Sequence, residues 1–209
     1  MNDNKFLRLN TVFQLPKNVA KAAISLSQQI GKIQDTFFTL DGLQFYPHIT
    51  IYSPEYPVDN LDDIISSVGE LAKSSKHLVF DAKGITTHQD FITISLEASP
   101  DVQKIHAEIV NKLNPLRAGQ IREKYQQATY SPEQQENIKK YGYPNVLELY
   151  HPHITITRLK DEGVATKIAG GLEWVIPGFT VNKIAVYEMG KYGTCVALIK
   201  EFNLSNQSL

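Results

Sequence analysis

The sequence predicts an α+β fold built from two similar, interlocked lobes. Apolar residues follow strand spacing and helix spacing in turn along the chain. One pentapeptide, Pro-His-Ile-Thr-Ile, occurs twice, at residues 47–51 and 152–156, at matching places in two series of predicted elements. The length of 209 residues suits one large domain or two small lobes. We therefore expect a single bilobal domain over residues 1–209.

In the first half of the chain the predicted elements are a strand over 7–15, a helix over 18–33, strands over 36–40 and 46–52, a helix over 58–74, strands over 77–86 and 90–97, and a helix over 101–113. Pro16 ends the first strand, and Asp41-Gly42 forms a turn between the next two. In the second helix, Leu61, Ile64 and Val68 recur at helical spacing and form an apolar stripe.

In the second half the predicted elements are a strand over 151–157, a short helix over 161–170, and strands over 173–187 and 194–202. Pro177-Gly178 interrupts the strand over 173–187. The stretch 118–146 breaks the pattern, because it is polar and rich in glutamine, lysine and tyrosine. We interpret it as an insertion before the second pentapeptide, with a helix start at Ser131-Pro132-Glu133. Without it the chain divides into two copies, over about 7–97 and 91–201, which share one strand.

Composition and charge restrict the function classes. Lysine and arginine number 21 against 22 acidic residues, which argues against a nucleic-acid binder that relies on bulk electrostatics but not against an enzyme that binds one phosphate. The single cysteine, Cys195, excludes an internal disulfide, and its apolar context indicates a small buried strand residue. No signal-peptide core and no run of about 18 apolar residues occurs, so we expect a cytoplasmic protein without membrane association.

Each pentapeptide places a histidine and a threonine on one face of a strand. Side chains alternate between the faces, so His48 shares a face with Thr50, and His153 shares one with Thr155. The isoleucines between them point the other way, toward a core covered by helices. If the lobes are related by a pseudo-two-fold axis, two imidazoles and two hydroxyls converge across a cleft.

Two imidazoles and two hydroxyls suit the cleavage of a phosphodiester. One neutral histidine can deprotonate the attacking water or hydroxyl, and the other, protonated, can donate its proton to the leaving oxygen. The threonine hydroxyls can donate to non-bridging phosphate oxygens. A lone His-x-Thr in a strand is more often structural, but two identical copies at matching places favour a catalytic interpretation.

Neither motif has a nearby carboxylate or cysteine that would complete a zinc site, so we expect no metal.

These paired motifs resemble the 2H phosphoesterase superfamily, which includes the bacterial 2′-5′ RNA ligase-like proteins and the cyclic phosphodiesterases. The resemblance covers nearly the whole chain, including the closing hairpin over 179–202, and the motif pair is its specific part. It implies a bilobal α+β fold, which we expect as two antiparallel sheets facing a central cleft with helices on the outside. It also implies hydrolysis of cyclic phosphates, often at 2′,3′-cyclic ribose ends, without metal or other cofactor. The family's catalytic pairs match His48 with Thr50 and His153 with Thr155.

Five further residues are candidates for substrate contacts. Tyr46 and His151 lie two residues before the motif histidines, and Tyr52 and Thr157 lie four residues after them. Tyr143 belongs to the insertion, whose tyrosines and cations would suit a cover over a base and a phosphate. The alternative is packing at the rim of the cleft and, for the insertion, a surface elaboration or an oligomer contact.

Four other residues are weighed less strongly as site residues. In a regular strand Arg158 falls on the face opposite the catalytic pair, although it could bend round at the strand end. Three histidines are expected to be structural or exposed. His77 begins a strand, His88 lies in a hairpin turn and His106 lies on a helix.

The sequence supports two hypotheses of function. The first is a metal-independent cyclic phosphodiesterase that acts on a small nucleotide or on the phosphate at an RNA end. The second is a non-catalytic protein that binds nucleotides or RNA ends in the same cleft. Binding alone does not require an acid–base pair, so the presence of both histidines favours the enzyme. No obligate protein partner is predicted.

Overall fold

The computed structural model describes residues 5–127 and 129–205. Its strands are β1 (Phe6–Gln14), β2 (Thr36–Thr39), β3 (His48–Tyr52), β4 (Glu55–Pro57), β5 (Leu78–His88), β6 (Phe91–Leu96), β7 (His153–Leu159), β8 (Gly178–Val181), β9 (Lys183–Met189) and β10 (Cys195–Asn203). Its α-helices are α1 (Lys17–Gly31), α2 (Leu61–Ser74), α3 (Pro100–Leu113), α4 (Glu123–Gln127), α5 (Pro132–Tyr141) and α6 (Ala165–Ala169). The expected α+β class is confirmed.

The strands form one curled antiparallel sheet in the order β10-β9-β1-β3-β7-β6-β5-β8, with β2 beside β7 and β4 beside β1. The two motif strands, β3 and β7, are neighbours that join at Ile49 and Ile154. The expectation of two separate sheets facing each other is therefore wrong. Because the motif strands pair directly, their polar faces lie side by side on one surface instead of confronting each other.

The motif strands divide the sheet into two four-stranded halves, β10-β9-β1-β3 and β7-β6-β5-β8. Each half draws its strands from distant parts of the chain, the first from 6–52 and 183–203 and the second from 78–96 and 153–181. The linear copies over 7–97 and 91–201 therefore do not coincide with the halves of the sheet.

The predicted strand over 173–187 is two strands that belong to different halves. β8 pairs with β5, whereas β9 pairs with β1. The chain crosses from one half to the other at Asn182, whose carbonyl accepts a hydrogen bond from Leu204 N at 2.9 Å. No glycine or proline lies at this crossing, so the sequence carried no turn signal that would have located it.

Helices cover the apolar face of the sheet. α1 contacts β2 and β7, α2 contacts β9 and β10, and α3 contacts β3. The apolar stripes are buried as predicted, for example Val19 and Ile30 of α1 and Ile64 and Val68 of α2. These side chains join the isoleucines of both motifs in one core cluster. Since burying one isoleucine contributes roughly 1.5–3 kcal/mol, this core fixes which face of each motif strand stays open.

The insertion over 118–146 contains α4 and α5. The Ser131 hydroxyl accepts from Gln134 N at 3.2 Å, and Gln134 Oε1 accepts from Ser131 N at 3.1 Å. This capping box, followed by Pro132 at the first helical position, confirms the predicted helix start.

Arg117 connects the insertion to the rest of the protein through hydrogen bonds. Its buried guanidinium donates to the carbonyls of Gln120 at 2.6 Å and Lys140 at 2.8 Å. Tyr141 and Val146 join the main core. The insertion is therefore an integral part of the packing, and Arg117 is a structural residue.

Candidate active site

The two His-x-Thr motifs lie on adjacent antiparallel strands, and their central isoleucines pair. This is the one residue pair that joins β3 and β7 among the described residues. An antiparallel register continued by one residue on each side of it would set His48 opposite Thr155 and Thr50 opposite His153. Directly opposite Cβ atoms are about 5 Å apart and diagonal neighbours about 7–8 Å apart. In that register the histidines lie on one diagonal of a square and the threonines on the other, with each histidine opposite a threonine.

The predicted alternation of faces is confirmed. The isoleucines of both motifs are fully buried, namely Ile49, Ile51, Ile154 and Ile156. On the other face His48, Thr50 and Thr155 are half-buried and His153 is exposed. The four polar side chains therefore line a surface that a ligand can reach.

Both imidazoles are held in the same way. His48 Nδ1 lies 2.8 Å from the carbonyl oxygen of Tyr46, and His153 Nδ1 lies 2.9 Å from that of His151. A carbonyl oxygen only accepts, so Nδ1 carries the proton and donates it in each case. Nε2 is then the nitrogen available for chemistry, as a lone pair in the neutral ring and as an N–H donor in the charged one.

Desolvation shifts both histidines toward the neutral form. Burial lowers the pKa of His48 to about 4; the hydrogen bond to the Tyr46 carbonyl opposes this shift, and the charge of His153 adds to it. Desolvation also lowers the pKa of His153, although its side chain reaches solvent. The hydrogen bond to the His151 carbonyl opposes this shift, and the charges of His151 and His88 add smaller contributions to it. Both rings are therefore neutral near pH 7 in the free protein. An anionic phosphate between them would raise both pKa values.

Thr50 is oriented by two neighbours. Asn10 Nδ2 donates to Thr50 Oγ1 at 3.0 Å, so the threonine hydrogen is free to be donated to a ligand. Tyr150 Oη donates to the Thr50 carbonyl at 3.0 Å. Asn10 is fully buried and also lies 3.6 Å from the thiol of Cys195, which is buried as predicted. On the second strand, Thr155 is paired with Thr93 of β6.

Sequence analysis missed Asn10, although the sequence contained a signal for it. In β1 the polar residues Arg8 and Asn10 alternate with the apolar residues Leu7 and Leu9. This alternation indicates a polar face, and the structure places that face beside Thr50, because Val12 pairs with Thr50 and Gln14 with His48.

Tyr46 and His151 reach the site through their backbone carbonyls, which hold the two imidazoles. The Tyr46 ring packs on Tyr187 with 5.3 Å between centroids, beside a small apolar cluster that includes Cys195. The His151 side chain is exposed. Contact of these two side chains with substrate stays a prediction.

Tyr52 and Thr157 do not face the site, which corrects the sequence-based expectation. The pairing of β3 with β1 skips Ile51, and the pairing of β7 with β6 skips Ile156. Each motif strand thus carries a bulge immediately after its threonine, and the bulge reverses the alternation of faces. Both side chains are fully buried, and each hydroxyl donates to a backbone carbonyl inside the protein, at 2.5 and 2.8 Å.

The bulge in β7 also moves Arg158 to the face that carries the motif side chains. A regular strand would place Arg158 on the core side, but the extra residue Ile156 shifts it by one position. Its guanidinium donates to Asp90 Oδ2 at 2.7 Å and lies 4.7 Å from the centroid of the Phe37 ring.

Tyr143 connects the insertion to the core. Its half-buried ring lies 6.4 Å from the ring of Tyr52 and 6.1 Å from that of Tyr125, and burial raises its pKa. A direct contact between Tyr143 and substrate stays a prediction.

Within residues 5–127 and 129–205, no three His, Cys, Asp or Glu side chains are grouped so that they could hold a metal ion. In the same part of the chain, no helix has both the length and the apolar character needed to cross a membrane.

Comparison with known proteins shows the family of the chain. A family model described as "Protein of unknown function (DUF1045)" matches residues 57–192, which include the second motif and the insertion. The chain belongs to the DUF1045 family. Comparison of the DUF1045 chain with the curated proteins gives no match.

Solved structures share the fold of the DUF1045 chain. TT0787 of Thermus thermophilus matches with a TM-score of 0.60 at 17% identity, over 95% of this chain and 98% of that one. Apo LigT of E. coli matches with a TM-score of 0.59 at 12% identity, over 97% and 99%. LigT of E. coli complexed with phosphate matches with a TM-score of 0.55 at 11% identity, over 97% of this chain and 99% of that one. These matches show that the DUF1045 chain has the same fold as TT0787 and LigT.

Proposed function

We propose that the protein is a cyclic phosphodiesterase that hydrolyses 2′,3′-cyclic phosphates of a nucleotide or of an RNA end without a metal ion. The observation that carries this proposal is the square of paired His-x-Thr motifs, in which both imidazoles present Nε2 to an open surface. Two imidazoles on one diagonal suit an in-line displacement, since one can face the attacking oxygen while the other faces the leaving oxygen.

In the proposed reaction, Nε2 of one neutral histidine takes a proton from water as the water oxygen attacks phosphorus. The bond between phosphorus and one ribose oxygen breaks, and Nε2–H of the other histidine donates its proton to that oxygen. The hydroxyls of Thr50 and Thr155 donate to the non-bridging oxygens, where negative charge accumulates. The product is a ribose phosphate monoester. One imidazole has gained a proton and the other has lost one.

Proteins of this fold provide independent support. Escherichia coli LigT has been crystallised with phosphate and with 3′-AMP. A site that accepts phosphate in LigT is consistent with a phosphate site between the motifs of this chain.

The proposal is tested by incubating the protein, treated exhaustively with EDTA, with 2′,3′-cyclic nucleotides and with short RNAs that end in a 2′,3′-cyclic phosphate. We expect a phosphate monoester to appear at a rate proportional to enzyme concentration. Binding without turnover across the whole panel would instead support the non-catalytic binding protein. Activity that is lost on chelation and returns with zinc or manganese would require a metallohydrolase.

The pH dependence of kcat/KM is expected to be bell-shaped with its maximum below pH 6.5. One imidazole must be neutral and the other charged, and kcat/KM reports the pKa values of the free enzyme. Since the pKa values of His48 and His153 are both lowered from 6.5, both limbs of the bell move to acidic pH. The measurement is kcat/KM across the range from acidic to mildly alkaline pH for a 2′,3′-cyclic nucleotide. A maximum at alkaline pH would show that these two groups do not set the profile.

A further inference from the structure

Three cations lie together at one end of the polar face of the sheet. Arg8 of β1 shares its face with Asn10, because Leu7 and Leu9 pack into the core on the other side. Arg8 and Asn10 are about 7 Å apart along the strand, and Asn10 holds the Thr50 hydroxyl. Arg122 and Lys124 come from the insertion.

The positions of Arg122 and Lys124 are fixed by Tyr125. The Arg122 guanidinium lies 5.2 Å and the Lys124 ammonium 5.0 Å from the centroid of the Tyr125 ring. Arg122 is buried and also contacts Glu55 at 3.4 Å, and Glu55 is the partner of Arg8 in the pairing of β4 with β1. Glu55 thus connects the insertion to the sheet at this end.

Positive charge is concentrated at this end of the sheet. Arg8, Arg122 and Lys124 carry three charges, and the ion pair with Glu55 balances one of them. Arg8 Nη1 donates to the Gly190 carbonyl at 3.0 Å, while its buried Nε has no hydrogen-bond partner among the described residues. The Lys124 side chain reaches solvent, but the neighbouring protein partly desolvates its ammonium group, which together with the charges of Arg122, Arg8 and Arg158 lowers the pKa of Lys124 to about 8. A bound anion would relieve this repulsion and satisfy the open donor.

We propose that Arg8, Arg122 and Lys124 bind a second phosphate group of the substrate, so that the substrate is a cyclic phosphodiester with an additional phosphate monoester. A phosphate monoester carries a charge of about −1.5 to −2 at pH 7, which suits this concentration of positive charge. Guanidinium groups suit it because their fork of donors fits two phosphate oxygens. This inference rests on the proposed function for the identity of the first phosphate.

The test compares adenosine 2′,3′-cyclic phosphate with the same molecule carrying a 5′-phosphate. For the wild-type protein we expect kcat/KM to be higher for the 5′-phosphorylated substrate by about tenfold or more, mainly through KM. Lys124→Gln and Arg8→Gln are each expected to remove most of this preference. The matched control is Lys139→Gln, an exposed cation of α5 in the same insertion, which should keep the wild-type preference. Equal kcat/KM for the two substrates, or a preference that survives in both variants, would overturn the proposal.

A binding measurement separates this inference from the proposed function. Adenosine 2′,5′-bisphosphate and adenosine 2′-phosphate are titrated into wild-type protein and into Lys124→Gln, with circular dichroism confirming the fold of the variant. Tighter binding of the bisphosphate by about tenfold, lost in Lys124→Gln, upholds the second phosphate site even if neither cyclic substrate is hydrolysed. Equal affinities for the two nucleotides would reject the site even if hydrolysis occurs.

Discussion

Replacing His48 or His153 with alanine is expected to lower kcat/KM for a 2′,3′-cyclic phosphate by about 10²- to 10⁴-fold. Each substitution removes one of the two Nε2 atoms that the site presents, and general acid–base catalysis contributes about this factor. Thr50→Ala and Thr155→Ala should cause smaller losses, because each removes one neutral donor to the phosphate and leaves proton transfer intact. The measurement is steady-state kinetics on variants whose circular dichroism and melting match the wild type.

His77→Ala is the matched control for these variants. His77 precedes β5, is half-buried and belongs to neither motif, so its loss should leave kcat/KM unchanged. The double variant His48→Ala, His153→Ala should lose little more activity than the worse single variant, because residues that act as a unit are not additive. Undiminished turnover in a folded His48→Ala or His153→Ala protein would falsify the two-histidine mechanism.

His106→Ala is expected to destabilise the protein by about 3 kcal/mol, a large part of the total stability of a typical domain. The fully buried His106 ring donates from Nδ1 to the Ile51 carbonyl at 2.9 Å and accepts from Leu147 N at 2.8 Å. It also stacks on Tyr150 with 3.8 Å between centroids. Alanine leaves a carbonyl and an N–H buried without partners and opens a cavity. Urea unfolding measures the loss, and His77→Ala again serves as control; a loss below about 1 kcal/mol would contradict this role.

The same residue makes stability depend on pH. Burial lowers the pKa of His106 to about 4, whereas the unfolded chain has a histidine pKa of about 6.5. Between these values the unfolded state binds more protons than the folded state, so stability is full above about pH 6.5 and falls as the pH drops toward about 4. We expect the difference in unfolding free energy between wild type and His106→Ala to shrink over this range. An unchanged difference between neutral and acidic pH would show that His106 does not titrate as described.

Much of this protein follows from local sequence patterns. Alternation within each pentapeptide determined which side chains share a face, since side-chain direction in a strand depends only on local geometry. Helical spacing located α1 and α2, and Ser131-Pro132 located the start of α5, because caps and apolar stripes involve residues close in sequence. The duplication of the motif singled out His48, Thr50, His153 and Thr155.

Tertiary structure decided what depends on pairing between distant strands. The pairing of β3 with β1 and of β7 with β6 produces a bulge after the threonine of each motif. The two bulges bury Tyr52 and Thr157, and the bulge in β7 also turns Arg158 to the face of the motif side chains. A bulge is a mismatch between two strands, so neither strand reveals it alone. The pairing of β3 with β7, which merges two expected sheets into one, likewise depends on contacts between residues far apart in sequence, Ile49 and Ile154. The proximity of Arg8 to Arg122 and Lys124 also depends on contacts between distant residues. Glu55 and Tyr125 hold the insertion against the sheet, and sequence periodicity does not encode this packing.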